Sequence, residues 1–228
     1  MMKFFSLFYL IFVSFNVAAQ GVGKHGQASG VLSTLISKNG RINTANYINR
    51  NGKIIALNSS DGLLNYQIFT TNGGPSPRNE NSFKSFTKPG DQTSSGTQSG
   101  NLLLDWSTSA TLISAGISIP NGGDSFSVVV TGTFIPEESG IYTFTCEGDD
   151  AVDLFISDVN VANHYDAHAI YSLGSNTGTI SLVAGTGYSF RARMQENSSG
   201  EGLRVFWRKP SQSSGWYINT TELSSVTQ

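Results

Sequence analysis

Short segments of alternating apolar and polar residues follow one another through the second half of the chain. In residues 188–194, for example, apolar side chains alternate with serine and arginine, which is the period of a strand with one buried face. The same pattern predicts strands at 126–134, 141–146, 152–156, 179–183, 188–194 and 203–208. Glycine-rich turns such as Asn121-Gly122-Gly123-Asp124 separate them. Six or more short strands without a useful helical period predict an all-β antiparallel sandwich or barrel.

The first hundred residues differ from the second half in composition and in sequence pattern. Residues 1–19 combine a positively charged start, an apolar run and the small residues Val17-Ala18-Ala19, which is typical of a secretory signal peptide. The run of roughly fourteen apolar residues is shorter than the about 20 that a spanning helix needs. We therefore expect an exported chain, secreted or at the cell surface, with no integral membrane segment after signal cleavage.

Residues 20–100 are rich in Gly, Asn, Ser and Thr and contain few apolar runs. This composition predicts a spacer that is partly disordered or forms short hairpins. The pairs Asn39-Gly40 and Asn51-Gly52 are candidate hairpin tips, because Asn-Gly favours two-residue turns. The β-module is predicted over residues 101–228.

The charge and the cysteine content exclude some classes of protein. The formal net charge is −2, which argues against nucleic-acid binding. A single cysteine, Cys146, excludes an intramolecular disulfide framework. Cys146 alternates with Tyr142 and Phe144 and is therefore predicted to be a buried, inert thiol. No nucleophile elbow or phosphate-binding loop is found in the sequence, so we expect a binding module rather than an enzyme.

Four arginines lie in two of the predicted strands, at Arg191, Arg193, Arg204 and Arg208. If these two strands pair, the arginines share one exposed face. A solvated face is favoured over a contact with an acidic glycan.

Two adjacent carboxylates, Asp149 and Asp150, lie in the turn between two predicted strands. Such a pair is favourable only where solvent screens it or a cation neutralises it, and calcium takes six to eight oxygen ligands. Glu196 and Asn197, at the end of the strand that begins at Tyr188, are oxygen donors of a suitable type. A solvated acidic turn is the alternative.

Five ordered motifs closely resemble the protective-antigen domain, a module found in an anthrax toxin component, fungal flocculins, bacterial adhesins and glycoside hydrolases. The resemblance spans about residues 102–223 and implies a β-sandwich of jelly-roll type. The motifs are Gly132-Thr133-Phe134, Ser139-Gly140-Ile141-Tyr142-Thr143-Phe144, Gly148-Asp149-Asp150 with Leu154-Phe155-Ile156, Leu182-Val183-Ala184-Gly185, and Gly202-Leu203-Arg204-Val205-Phe206-Trp207.

The resemblance also implies a calcium-dependent sugar site. In the sugar-binding branch of the family, two successive aspartates joined by a cis peptide hold calcium together with an asparagine and carbonyl groups from a second loop, and sugar hydroxyls complete the coordination. Carried over to this chain, the aspartates are Asp149 and Asp150, the asparagine is Asn197, and the neighbouring Glu196 is a further candidate metal ligand. The glycine that usually follows the aspartate pair is Ala151 here.

The stretch 159–174 offers candidate ligand contacts. His164 and His168 are four residues apart but lack the glutamate of a zinc-protease helix, so we interpret them as part of a surface loop, with a contact at the ligand rim as the minor alternative. Tyr165 and Tyr171 can stack on a sugar ring if this loop borders the metal site.

The expected function is binding of a cell-surface glycan or polysaccharide, with calcium as the cofactor. Two alternatives stay open: a structural envelope or extracellular domain without glycan binding, and an auxiliary module related to those of glycoside hydrolases.

Overall fold

The computed structural model describes residues 33–36, 42–45, 47–50, 53–56 and 60–226 of the chain. The predicted signal peptide lies outside these residues. Four short strands precede residue 60: β1 (Ser33–Ile36), β2 (Ile42–Ala45), β3 (Tyr47–Arg50) and β4 (Lys53–Ala56). β1 pairs with β2, and β3 pairs with β4, both antiparallel. These pairs flank the two Asn-Gly sequences at which short hairpins are predicted.

Two antiparallel sheets contain the remaining strands. The seven-stranded sheet consists of β5 (Leu63–Thr70), β6 (Gln92–Ser99), β8 (Phe126–Phe134), β10 (Ala151–Ile156), β11 (Val159–His164), β13 (Tyr188–Glu196) and β15 (Leu223–Ser224). The four-stranded sheet consists of β7 (Asp105–Trp106), β9 (Gly140–Asp149), β12 (Thr177–Leu182) and β14 (Gly202–Arg208).

The strand orders are β11-β10-β13-β8-β5-β6, with β15 also paired to β8, and β12-β9-β14-β7. All six predicted strands are present. The largest difference in bounds is at β9, which continues past the predicted end at residue 146 to Asp149. The prediction of an all-β sandwich is confirmed.

The core lies between the facing sides of the two sheets. Its centre is aromatic: the ring of Phe134 makes edge contacts with Phe144 and Trp207, at centroid distances of 5.3 and 5.2 Å, and all three side chains are fully buried. Burying a large apolar side chain contributes about 1.5–3 kcal/mol. Cys146 is buried in the same core as a free thiol, and burial raises the pKa of its thiol.

The sandwich begins earlier than the sequence predicts. β5 forms a ladder with β8 that runs from Asn65 opposite Thr131 to Thr70 opposite Phe126, and it contributes apolar side chains to the core: Leu64, Tyr66 and Ile68. These residues lie in the segment for which composition predicts a spacer. The described sandwich therefore starts at Leu63 rather than near residue 101, because a strand needs only one apolar face to join a core.

Short helices connect the strands: α1 (Glu80–Phe83), α2 (Gly100–Leu104) and α3 (Ser109–Ser114), with single 3₁₀ turns at Lys84–Phe86, Pro89–Asp91, Pro120–Gly123 and Thr220–Glu222. Within the part of the chain that is described, no helix is long and apolar enough to cross a membrane.

The four arginines do not share one face. β13 and β14 belong to different sheets and do not pair. The prediction of a shared basic face, which required that pairing, is therefore wrong. Arg193 is instead buried against the sheet, where its Nε and Nη2 atoms donate to the two oxygens of Asp153 at 2.9 and 2.6 Å. Its guanidinium also lies 4.7 Å from the ring centroid of Phe83, so it packs against a side chain of α1.

At one side of the sandwich the outermost strands of the two sheets, β11 and β12, lie against each other. A Cβ atom on Gly178 would be 1.6 Å from the carbonyl oxygen of Val161. Only glycine permits such a close approach of two backbones.

Candidate functional site

The aspartate pair lies where the chain crosses from one sheet to the other. Asp149 is the last residue of β9, in the four-stranded sheet, and Ala151 is the first residue of β10, in the seven-stranded sheet. The peptide bond between Asp149 and Asp150 is cis, as the resemblance implies. The Asp150 amide donates to the carbonyl of Gln195 at 2.8 Å, which joins the crossing to β13. Ala151 is fully buried in the strand, so its methyl group is accommodated beside the cis bond.

A second crossing lies beside the first. Residues 197–201 connect β13 to β14 and so also pass between the sheets. The Asn197 amide donates to Asp150 Oδ2 at 2.9 Å. A Cβ atom on Gly200 would lie 2.9 Å from Asp149 Oδ2, so a larger residue there would press on this carboxylate. The two crossings thus enclose the aspartate pair.

Glu196, the last residue of β13, projects between the two sheets. Side chains alternate along a strand, and Glu196 has the same parity as the core residues Phe190 and Met194. One carboxylate oxygen from each of Glu196, Asp149 and Asp150 can be chosen so that all lie within 4.8 Å of one another. Glu196 is fully buried, and neither of its oxygens has a hydrogen-bond partner among the described residues. An ionised carboxylate in this position is costly without a counter-charge.

Burial and neighbouring carboxylates raise the pKa values in this cluster. The pKa of Glu196 is raised to about 9, mainly by burial and then by the charges of Asp150 and Asp149. Glu201 and Asp124 act on it in the same direction. Burial and then Asp150 raise the pKa of Asp149 to about 6. A cation reverses this effect because it favours the ionised forms.

The donor set suits a hard divalent cation. Calcium binds through carboxylate, carbonyl and amide oxygens, and the cluster provides three carboxylates beside a loop of exposed backbone. A bound cation would also supply the partner that both Glu196 oxygens lack. The residues present therefore fit calcium.

Two further carboxylates flank the cluster. Asp124 Oδ1 accepts a hydrogen bond from the Ser199 amide at 3.1 Å, and Glu201 Oε1 accepts one from the Ser109 amide at 2.5 Å. These bonds hold both side chains beside the second crossing. Neither carboxylate was among the residues that the sequence singled out, since their positions depend on loops with no motif of their own.

The predicted asparagine adjoins the aspartate pair mainly through its backbone. Besides the amide bond to Asp150, the Asn197 carbonyl accepts from the amide and the hydroxyl of Ser125, both at 3.1 Å. Its side-chain Oδ1 lies towards Gly73, on which a Cβ atom would be 3.7 Å away. Glu196 supplies the third carboxylate oxygen of the compact cluster.

The structure separates the two predicted aromatic contacts. The Tyr165 hydroxyl donates to Asp153 at 3.2 Å, and its ring lies 6.2 Å from that of Phe83, so Tyr165 belongs to the buried Arg193–Asp153 network. Tyr171 is half exposed.

Tyr171 packs against a stacked pair of imidazoles. The rings of His164 and His168 are 3.3 Å apart at their centroids, and the Tyr171 ring lies 4.9 and 5.7 Å from them. His168 opposes the rise of the pKa of Asp149. Tyr171 is therefore the one of the two predicted tyrosines whose ring is half exposed beside the imidazole pair.

The sequence model of the PA14 domain matches residues 83–215. No curated protein sequence matches the chain.

Solved structures share the fold at low sequence identity. The PA14 sugar-binding domain from an RTX adhesin is 17% identical with a TM-score of 0.57, over 72% of this chain and 98% of that domain. The Epithelial Adhesin 6 A domain from Candida glabrata, in complex with Galβ1-3GlcNAc, is 13% identical with a TM-score of 0.52, over 74% and 88%. An anti-sigma factor domain-containing protein is 18% identical with a TM-score of 0.53, over 72% of this chain and 48% of that one. The chain thus spans about half of the last protein, and these likenesses show the fold alone.

Proposed function

Because the chain belongs to the PA14 domain family, we propose that it is an exported carbohydrate-binding module whose sugar site is built on a calcium ion at the Asp149–Asp150 crossing. The observation that carries the proposal is the buried Glu196 carboxylate, which shares a compact cluster with the aspartates and has two oxygens without partners among the described residues. In a purely structural turn such a group would only lower stability, because burying an unpaired carboxylate destabilises the fold.

Each residue of the site has a separate part in this proposal. Asp149, Asp150 and Glu196 hold the ion, and Asn197 supports Asp150 through its amide. Bound calcium supplies open coordination positions for vicinal sugar hydroxyls, because it accepts six to eight oxygens. Tyr171 offers an exposed ring to the apolar face of a sugar.

The comparisons support binding rather than catalysis. Two of the similar structures are described as adhesin domains, one as sugar-binding and the other with a bound disaccharide. An adhesin-like role at the cell surface or outside the cell fits the predicted export signal.

The test compares the thermal midpoint of the mature protein in chelator, in calcium, and in calcium with a glycan panel. We expect calcium to raise the midpoint and a subset of glycans to raise it further, since a ligand that binds only the native state stabilises it. The double variant Asp149→Asn with Asp150→Asn should respond to neither.

A matched control is Asp158→Asn, which removes one carboxylate from the exposed turn at the other end of β10 and should behave like the wild type. A wild type that is indifferent to calcium would contradict the metal site. Calcium stabilisation without any glycan response would favour the structural alternative.

A further inference from the structure

The candidate site carries more negative charge than one divalent cation neutralises. Five carboxylates lie at the two crossings: Asp149, Asp150 and Glu196 form the compact cluster, and Asp124 and Glu201 accept backbone amides of the surrounding loops. A divalent cation at the centre neutralises two of these charges and leaves three.

Part of this excess charge lies at the protein surface. Asp124 is exposed and Glu201 is partly exposed, whereas Glu196 is fully buried. Each of the two outer carboxylates uses one oxygen to accept a backbone amide of the surrounding loops, so its position is fixed while its charge is retained. A sugar bound beside the cation would therefore meet a negative rim.

We propose that this rim makes the site selective for sugars with a free, protonated amine, as in deacetylated amino-sugar polymers, and that it rejects uronic and sialic acids. The inference rests on the proposed function, because it concerns the ligand of the same site. A unit charge about 8 Å from an ammonium group changes affinity by about twofold to fivefold in a largely aqueous setting. Two rim carboxylates should together give the amine about a tenfold advantage over a neutral sugar.

The test uses sugars that differ in charge on one ring. Methyl glycosides of glucose, glucosamine, N-acetylglucosamine and glucuronic acid, and the galactose counterparts, are titrated into the calcium-loaded mature protein at pH 6.5, where an amine of ordinary pKa of about 8 is protonated. Binding is followed by calorimetry or by chemical-shift changes. We expect the free amine to bind tightest and the uronate weakest, with the acetylated sugar like the neutral one. The differences should shrink in 0.5 M salt because salt screens exposed charges.

Two isosteric variants test the source of the preference. Asp124→Asn and Glu201→Gln each keep the oxygen that accepts the loop amide but remove the charge. Each should reduce the amine preference, measured as the affinity ratio of amine to neutral sugar at saturating calcium, by about twofold to fivefold. Asp158→Asn is again the matched control and should keep the full preference.

The outcomes separate the two proposals. Binding of neutral sugars with no preference for the amine, or a preference that survives both rim variants, would overturn this inference and leave the proposed function standing. Tight binding of a uronate would also overturn it. No binding by any member of either series would overturn the proposed function together with it.

Discussion

Binding of calcium at the crossing should release a proton from Glu196. The pKa of this carboxyl is raised to about 9, so at pH 7 without a cation it is about 99% protonated. A cation that uses its oxygens as ligands has to displace that proton. The displacement costs about 3 kcal/mol at pH 7, since each pH unit below the pKa corresponds to about 1.4 kcal/mol.

The expected proton count follows from the same values. Asp149, with a pKa raised to about 6, is only about 10% protonated at pH 7. Each calcium ion should therefore release about one proton at pH 7, nearly all from Glu196. Its affinity should rise about tenfold per pH unit from pH 7 towards pH 9. Below pH 6 the dependence should steepen, because Asp149 then contributes a second proton.

The stability of the metal-free protein should show the opposite dependence on pH. Both folded-state pKa values lie above the ordinary values of these side chains, so the folded state binds these protons more tightly than the unfolded state. The resulting stability is fully present below about pH 4 and is lost as the pH rises through 6 and then 9. Calcium should restore it above pH 7.

Calorimetry in buffers of different ionisation enthalpy measures the proton release directly. The slope of the observed enthalpy against the buffer enthalpy should be close to one proton per ion for the wild type. In Glu196→Gln it should fall to about 0.1, the share of Asp149. A binding enthalpy that does not depend on the buffer, together with an affinity that is constant from pH 6 to 8, would refute the reasoning.

Three further predictions concern the scaffold. Asp153→Asn should lower the free energy of unfolding in urea by about 3–5 kcal/mol, because it leaves the buried Arg193 guanidinium without a counter-charge; an unchanged midpoint would contradict the role of this pair. Gly178→Ala should lower stability by about 1–3 kcal/mol or prevent folding, since the new methyl group would overlap the Val161 carbonyl, and a wild-type thermal midpoint would show that β11 and β12 can separate freely. Cys146 should not react with a thiol reagent in the native protein and should react fully in denaturant, because the thiol is buried; fast labelling without unfolding would disprove its burial.

Local alternation was sufficient to predict which residues of a strand face the core. In β13, Phe190 and Met194 alternate with polar residues in the sequence and are buried in the structure. Alternation does not say which strands are neighbours. β13 and β14 follow each other along the chain but lie in different sheets. Arg193 is buried because Asp153 in β10 pairs with it and Phe83 in α1 packs against it.

The strands before residue 100 differ in how far the sequence could have revealed them. In β5 the alternation of Leu64, Tyr66 and Ile68 with polar residues was a usable signal that the surrounding polar composition obscured. β6 consists of Gln, Thr, Ser and Gly alone, so nothing in its own residues predicts a strand. It is a strand because β5 offers it a hydrogen-bonding edge.

The candidate site was predictable to the extent that its chemistry is local. Asp149 and Asp150 are adjacent in the sequence, and Glu196 ends a recognisable strand that Asn197 follows. The rim carboxylates Asp124 and Glu201 come from loops whose meeting depends on the whole sandwich. The sequence therefore predicts the centre of the site and not the charge that surrounds it.

The contact between Gly178 and Val161 also affects how the protein behaves at high concentration. An open sheet edge can recruit a strand from another molecule and begin aggregation. Here β11 and β12 turn their outer edges towards each other, which leaves β6 and the two-residue β7 at the opposite ends of the sheets. β6 has no apolar side chain with which to form a dry interface. Edge-to-edge stacking through the two large sheets should therefore be disfavoured.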